Sequence, residues 1–175
     1  MSYMQVKILE GVSAKVEGSQ VELSGKNGKS KRRFNPNLIH AEVKGGMIEI
    51  SIKENKKVMD AAGMAAKAFA KQISCDMEGV LNGHEVKMEI VYAHFPMTIE
   101  TSGNKVIIKN MLGERAPRTA KLMGDTKLTV NGKEIKIMGI SLDDVAQSAA
   151  NIRKACKVRK IDERIFQDGI YYSEK

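Results

Sequence analysis

Two stretches of this chain, 85 residues apart, repeat each other, and that duplication limits the fold more than any other feature. Gly18 to Gly28 (GSQVELSGKNG) lines up with Gly103 to Gly113 (GNKVIIKNMLG), with both glycines and the leading valine coincident. Further on, Ile48-Glu49-Ile50-Ser51-Ile52 matches Ile135-Lys136-Ile137-Met138-Gly139, two residues adrift, and a helical pattern follows in each half. Solenoid units run about 20–50 residues, so a preserved order over a longer span indicates a small duplicated domain. The sequence predicts two tandem domains, 1–79 and 80–175, with the boundary near Gly79.

Each half carries the same local signals. Val21 and Leu23, then Ile39, Ala41 and Val43, then Ile48, Ile50 and Ile52 alternate with polar residues, as half-buried strands do. Lys44-Gly45-Gly46 separates two of these runs as a turn. Val86, Met88, Ile90 and Tyr92, then Val106 and Ile108, repeat the alternation, and Asn131-Gly132 reads as a type I′ hairpin turn. Each half then closes with a helix, whose apolar stripe is Val58, Ala62, Ala65, Phe69 and Ile73 in one and Val145, Ala149, Ile152 and Cys156 in the other. Ser141, three residues before Asp144, is placed to cap the second helix. The fold class is α+β: two duplicated domains, each a mainly antiparallel sheet packed against one helix.

Few kinds of chemistry fit the composition. Cys75 and Cys156 stand alone, and His40, His84 and His94 are scattered, so neither a metal site nor a disulfide framework is expected. Gly25-Lys26-Asn27-Gly28-Lys29-Ser30 contains Gly-Lys-Ser, but a phosphate loop needs a glycine where Leu23 stands. Asp143-Asp144 opens a helix, and Asp162-Glu163 lies between Lys160 and Arg164, so both carboxylate pairs have structural explanations. No catalytic constellation, cofactor or small-molecule substrate is expected. No apolar run is long enough to span a membrane, and the opening MSYMQVKILEG lacks signal-peptide character, so a cytoplasmic protein is expected.

Charge points elsewhere. The chain carries 29 Lys and Arg against 21 Asp and Glu, a formal +8, which calls for an anionic partner. Two acid-free runs concentrate it: Lys26 to Arg33 (KNGKSKRR), read as an exposed hairpin tip, and Arg153 to Lys160 (RKACKVRK) at the second helix end. Aromatic residues make up only 5%, there is no tryptophan, and the signature of base-stacking single-strand readers is absent. Contact with the backbone of folded RNA, through charge and shape, suits this surface better. The tail after Lys160 carries Arg164, Phe166, Tyr171 and Tyr172; it can order on a partner or pair with its own sheet, with Asp168-Gly169 as a turn.

Gly139-Ile140-Ser141-Leu142-Asp143-Asp144-Val145-Ala146-Gln147-Ser148-Ala149-Ala150-Asn151-Ile152-Arg153 resembles the last helix of the L-six family of large-subunit ribosomal proteins. The similarity extends to Ser24 through Phe34-Asn35, to Met88-Glu89-Ile90-Val91-Tyr92 with His94-Phe95-Pro96, and to Arg164-Ile165-Phe166-Gln167-Asp168-Gly169-Ile170-Tyr171. That ending resembles the archaeal and eukaryotic branch, although Ile161 stands where the branch commonly has a basic residue. The resemblance implies a non-enzymatic protein that binds large-subunit ribosomal RNA mostly through its second domain, near the factor-binding region and the base of the lateral stalk. Its other partners would be neighbouring large-subunit proteins.

Charge and resemblance together select the candidate contacts. In the second domain these are Lys109, Arg115, Arg118 and Lys121 in and around its loops, with Arg153, Lys154, Lys157, Arg159 and Lys160 at the helix end. Arg164, Tyr171 and Tyr172 follow in the tail. Lys26, Lys29, Lys31, Arg32 and Arg33 are a secondary segment that would touch RNA or a neighbouring protein. A non-catalytic RNA-binding module working outside the ribosome would share this pattern, but would not stay with large subunits through a high-salt wash.

Overall fold

The structure, a computed structural model, describes residues 3–52, 59–93, 95–159, 162 and 164–173. Val58, His94, Lys160, Ile161 and Glu163, all used in the sequence reading, lie outside the described residues. The chain divides into two compact units, Met1–Gly83 and His84–Lys175.

In the first unit β1 (Tyr3–Lys7), β6 (Met47–Ile52) and β5 (Ile39–Lys44) form one antiparallel sheet in the order β1-β6-β5. A second antiparallel sheet joins β2 (Ser13–Glu17), β3 (Gln20–Gly25) and β4 (Gly28–Arg33). Helix α1 (Met59–Asn82) touches strands of both sheets. It ends at Gly83, whose φ of +78° is the left-handed conformation that stops helices, so the units divide there and Gly79 falls inside the last turn.

The second unit repeats this plan strand for strand. β7 (His84–Val91), β12 (Glu134–Gly139) and β11 (Lys127–Asn131) take the places of β1, β6 and β5, while β8 (Thr98–Ser102), β9 (Lys105–Lys109) and β10 (Arg118–Lys121) take those of β2, β3 and β4. Helix α2 (Leu142–Ala155) follows. Even single hydrogen bonds recur: the Ile8 N–H donates to the Gly46 carbonyl at 3.0 Å, and the Ile90 N–H donates to the Lys133 carbonyl at 2.8 Å. One element has no counterpart among the described residues of the first unit. The tail strand β13 (Gly169–Tyr172) adds antiparallel to the open side of β7, so the tail pairs with its own sheet. Each unit therefore holds two sheets around its helix, one more than the alternation alone suggested.

The alternation is realised as predicted packing. Val21, Leu23, Ile48 and Ile50 are buried in the first unit, as are Val106, Ile108, Ile135 and Ile137 in the second. Val145, Ala149, Ile152 and Cys156 form the buried stripe of α2, where the alanine lets the helix lie close to the strands. On α1 the stripe runs through Ala62, Ala66, Phe69, Ile73, Met77 and Val80, leaving Ala65 only half-buried beside it. Each fully buried aliphatic side chain of this kind stabilises the fold by about 1.5–3 kcal/mol.

One turn differs from expectation. Asn131 stays in β11 opposite Glu134, and of the Asn131-Gly132 pair only Gly132 has a positive φ, +60°. The two-residue loop is Gly132-Lys133 and is not type I′, which needs positive φ at both central residues.

Candidate nucleic-acid interface

Helix α2 is oriented by its two ends. At the start, the Ser141 hydroxyl accepts the Asp144 N–H at 3.3 Å, with Asp143 and Asp144 in the first turn at the positive pole of the helix dipole. At the finish, Arg153 and Lys154 occupy the last turn, where cations complement the negative pole. The chain then continues through exposed Lys157 and Arg159, with Val158 tucked inward between them.

The tail folds back against this helix end. Asp168, 5% exposed, accepts the Ala93 N–H at 3.0 Å and anchors the start of β13, whose Gly169 and Ile170 are buried. Between helix end and tail lies a groove of about 420 Å³, lined by Arg153, Lys154, Lys157, Phe166, Tyr171 and Tyr172 among others. The Arg153 guanidinium carbon sits 5.6 Å from the centre of the Tyr172 ring, within cation–π range. The Tyr171 hydroxyl donates to the Gln167 carbonyl at 3.2 Å. Arg164 is exposed on the same tail. Phe166, noted in the tail but not among the candidate contacts, walls this groove because β13 pairs with β7, one of the two courses the sequence left open for the tail.

Strand β10 ties a further loop to the same end of α2. Arg118 donates to both carboxylate oxygens of Glu114 at 2.8 and 2.6 Å, and to the carbonyls of Ala155 and Lys157 at 3.0 and 2.9 Å. Its guanidinium thus caps the last helical carbonyl and one just beyond the helix, while holding the Glu114 carboxyl below the usual carboxylate range. Arg115 is exposed within the loop that this clamp holds. Lys109, at the neighbouring end of β9, pairs with Glu100 at 2.7 Å. Lys121 is exposed at the far end of β10, where its carbonyl accepts the Asn151 side-chain amide at 2.9 Å. The structure therefore brings Arg118 to the α2 terminus with Lys157, leaves Arg115 exposed in the adjoining loop, and sets Lys121 further along the helix.

The basic segment of the first unit is not an exposed hairpin tip. Gly25 pairs with Gly28, so only Lys26 and Asn27 turn, and the rest of the run is strand β4. Asn27 holds the turn onto the end of α1, donating its backbone N–H to the Val80 carbonyl and its side-chain amide to the Leu81 carbonyl, both at 3.0 Å. Strand alternation then splits the charges: Lys29, Lys31 and Arg33 are exposed on one face, while Arg32 turns inward to the buried carboxylate of Asp76. Lys31 is itself paired with Glu22. No cluster of metal-binding side chains occurs among the described residues, and no described helix is long and apolar enough to cross a membrane.

Comparison with known proteins agrees with this architecture. The sequence model of the family Ribosomal protein L6 matches residues 95–169. "Large ribosomal subunit protein uL6" of Methanocella arvoryzae is 39% identical over 98% of this chain and 96% of its own length. Proteins of the same name from Methanosarcina mazei and Methanosphaera stadtmanae are 40% and 41% identical, each over 97% of this chain and over 95% and 91% of their own lengths. With two sheet-and-helix units in tandem and relatives matched almost end to end, this chain belongs to the L6 family of ribosomal proteins, structural and non-enzymatic components of the ribosome.

Proposed function

We propose that the protein is a structural constituent of the large ribosomal subunit that binds large-subunit RNA chiefly through its second unit. The observation that carries this is the groove at the α2 terminus. Arg153, Lys154 and Lys157 line it beside Tyr172, and Arg159 and Arg164 are exposed on the segments leaving it. Such cations neutralise phosphates and release counterions, a contribution that grows with each phosphate met. The rigid sheets and the Arg118 clamp hold the charges in place beforehand, which lowers the entropic cost of docking on folded RNA. A position near the factor-binding region and the stalk base, with other large-subunit proteins alongside, is carried over from the family. In the first unit, Lys29, Lys31 and Arg33 form the face that would make secondary contacts.

The test is chemical footprinting of large-subunit RNA with the intact chain, with and without charge reversal at the α2 end. Protection lost on reversal of Arg153, Lys157 and Arg159 supports the assignment. Protection that survives this change but disappears on reversal of Lys29, Lys31 and Arg33 would move the binding surface to the first unit.

A further inference from the structure

The duplicated units differ at one edge. In the second unit β13 covers the side of β7 opposite β12, and Met88 and Ile90 beneath it are 0% and 3% exposed. In the first unit β1 is the edge strand of its sheet, and among the described residues no strand covers its outer side. Val6 and Ile8, the counterparts of Met88 and Ile90 by their pairing with β6 and β12, are only half-buried.

A groove of about 470 Å³ lies at that edge, between β1 and α1, walled by Val6, Lys7 and Leu9 on one side and by Ala70, Lys71 and Met77 on the other. The Ile8 N–H points inward to Gly46, and antiparallel alternation turns the backbone groups of Gln5 and Lys7 outward. Their counterparts Lys87 and Glu89 face β13, and the Lys87 carbonyl accepts the Ser173 N–H at 3.1 Å. An open strand edge with half-buried apolar residues behind it is a template for strand addition.

We infer that the edge of β1 receives an extended segment of a neighbouring large-subunit protein, added antiparallel in the place β13 takes in the second unit. An aliphatic residue of that segment lies opposite Ile8, as Ile170 lies opposite Ile90. The charge is reversed at the next position, where Glu89 faces Tyr171 and its counterpart is Lys7, which lines the groove together with Lys71, so the incoming strand carries a carboxylate there. A second copy of this chain is the poorer occupant, because a five-residue edge falls far short of the roughly 1,000 Å² that a stable interface buries. A segment held nearby by the rest of the subunit needs no such area, since its effective concentration is already high.

This inference rests on the chain being a large-subunit protein, and two measurements keep the claims apart. Hydrogen exchange on the free protein and on purified large subunits should show the Gln5 and Lys7 amides slowing at least about 100-fold on incorporation, while Val6 and Ile8 are slow in both states. A photocrosslinker at Glu78, on the groove-facing side of α1, should join a mapped stretch of another ribosomal protein, with the yield falling several-fold in Lys7→Glu. Gln5 and Lys7 amides that stay fast in the subunit, or are already slow in the free chain, overturn it. So does a crosslink to RNA, to a second copy or to this chain itself. A chain that never enters the subunit sinks the function proposed above as well, whereas entry with an unprotected β1 overturns only the added strand.

Discussion

Arg32 grips Asp76 with two parallel hydrogen bonds, Nε to Oδ2 at 2.8 Å and Nη2 to Oδ1 at 2.7 Å, across 44 residues of sequence. Asp76 is 1% exposed, so its carboxylate has exchanged water for this guanidinium. Removing one partner should therefore cost more than the pair is worth, because a buried charge is left uncompensated. Arg32→Ala is expected to destabilise the first unit by about 3–5 kcal/mol, measured by urea unfolding. Arg32→Met combined with Asp76→Leu should recover most of that loss, and a double variant as unstable as the single would contradict this account.

Arg118 serves the second unit in a comparable way, through the Glu114 carboxylate and two carbonyls at the α2 terminus. Arg118→Ala should lower the stability of that unit by about 1–3 kcal/mol and loosen the 114–117 loop. Arg118→Lys should rescue little, since a single ammonium cannot span acceptors that a planar fork reaches. Thermal unfolding of the three proteins separates these outcomes, and full rescue by lysine would show that charge alone suffices.

What the sequence disclosed follows from periodicity. Val21 and Leu23, Ile135 and Ile137, and the stripe from Val145 to Cys156 announce their elements because burial repeats at the strand or helix period. The duplication likewise foretold two units with matching strand orders. What stayed hidden depends on partners distant in sequence. Nothing around Arg32 distinguishes it from Lys31, and only the arrival of Asp76 from α1 shows that one faces inward and the other outward. Arg118 reads as one more cation until Ala155 and Lys157 present carbonyls to it. Phe166 and Tyr172 share a groove only because β13 returns to β7.

Gly25 is held to its identity by α1. A Cβ added there would meet the Val80 Cγ1 at 2.5 Å, at the turn that Asn27 fastens to the Val80 and Leu81 carbonyls. Gly25→Ala should push the turn off the helix end and cost about 1–3 kcal/mol, as overpacking does. Val80→Ala removes the offending methyl groups, so the double variant should be less unstable than the sum of the two single losses. Strict additivity in chemical denaturation would rule out this contact as the cause.

Burial pushes the Cys156 thiol up to about 12, with the nearby Arg118 opposing the shift. Its value in the unfolded chain is about 8.5, so the folded state holds its proton over a pH range in which the unfolded state has lost it. The associated stability is complete below about pH 8.5 and declines as pH rises toward 12, by the order of 1–2 kcal/mol at pH 10. Comparing urea midpoints at pH 8 and pH 10 with those of Cys156→Ala isolates this contribution from lysine and tyrosine titration. Parallel pH dependences in the two proteins would show that the thiol plays no part.

Reversing Arg153, Lys157 and Arg159 to glutamate tests the α2 terminus against the first unit, where Lys15, Lys29 and Arg33 offer three exposed cations on strands β2 and β4. Without these three cations to neutralise phosphates, the slope of log affinity against log salt should shrink by roughly 2–3 units, since each neutralised phosphate releases about 0.7–0.9 of a counterion. The first-unit triple variant should change that slope far less, although it alters the net charge by the same amount. The Lys157 carbonyl also accepts a hydrogen bond from Arg118, so each variant must keep the wild-type unfolding midpoint before its affinity is compared. Equal slopes in the two triple variants, measured by filter binding from low to physiological salt, would mean that net charge draws the protein to RNA with no localised footprint.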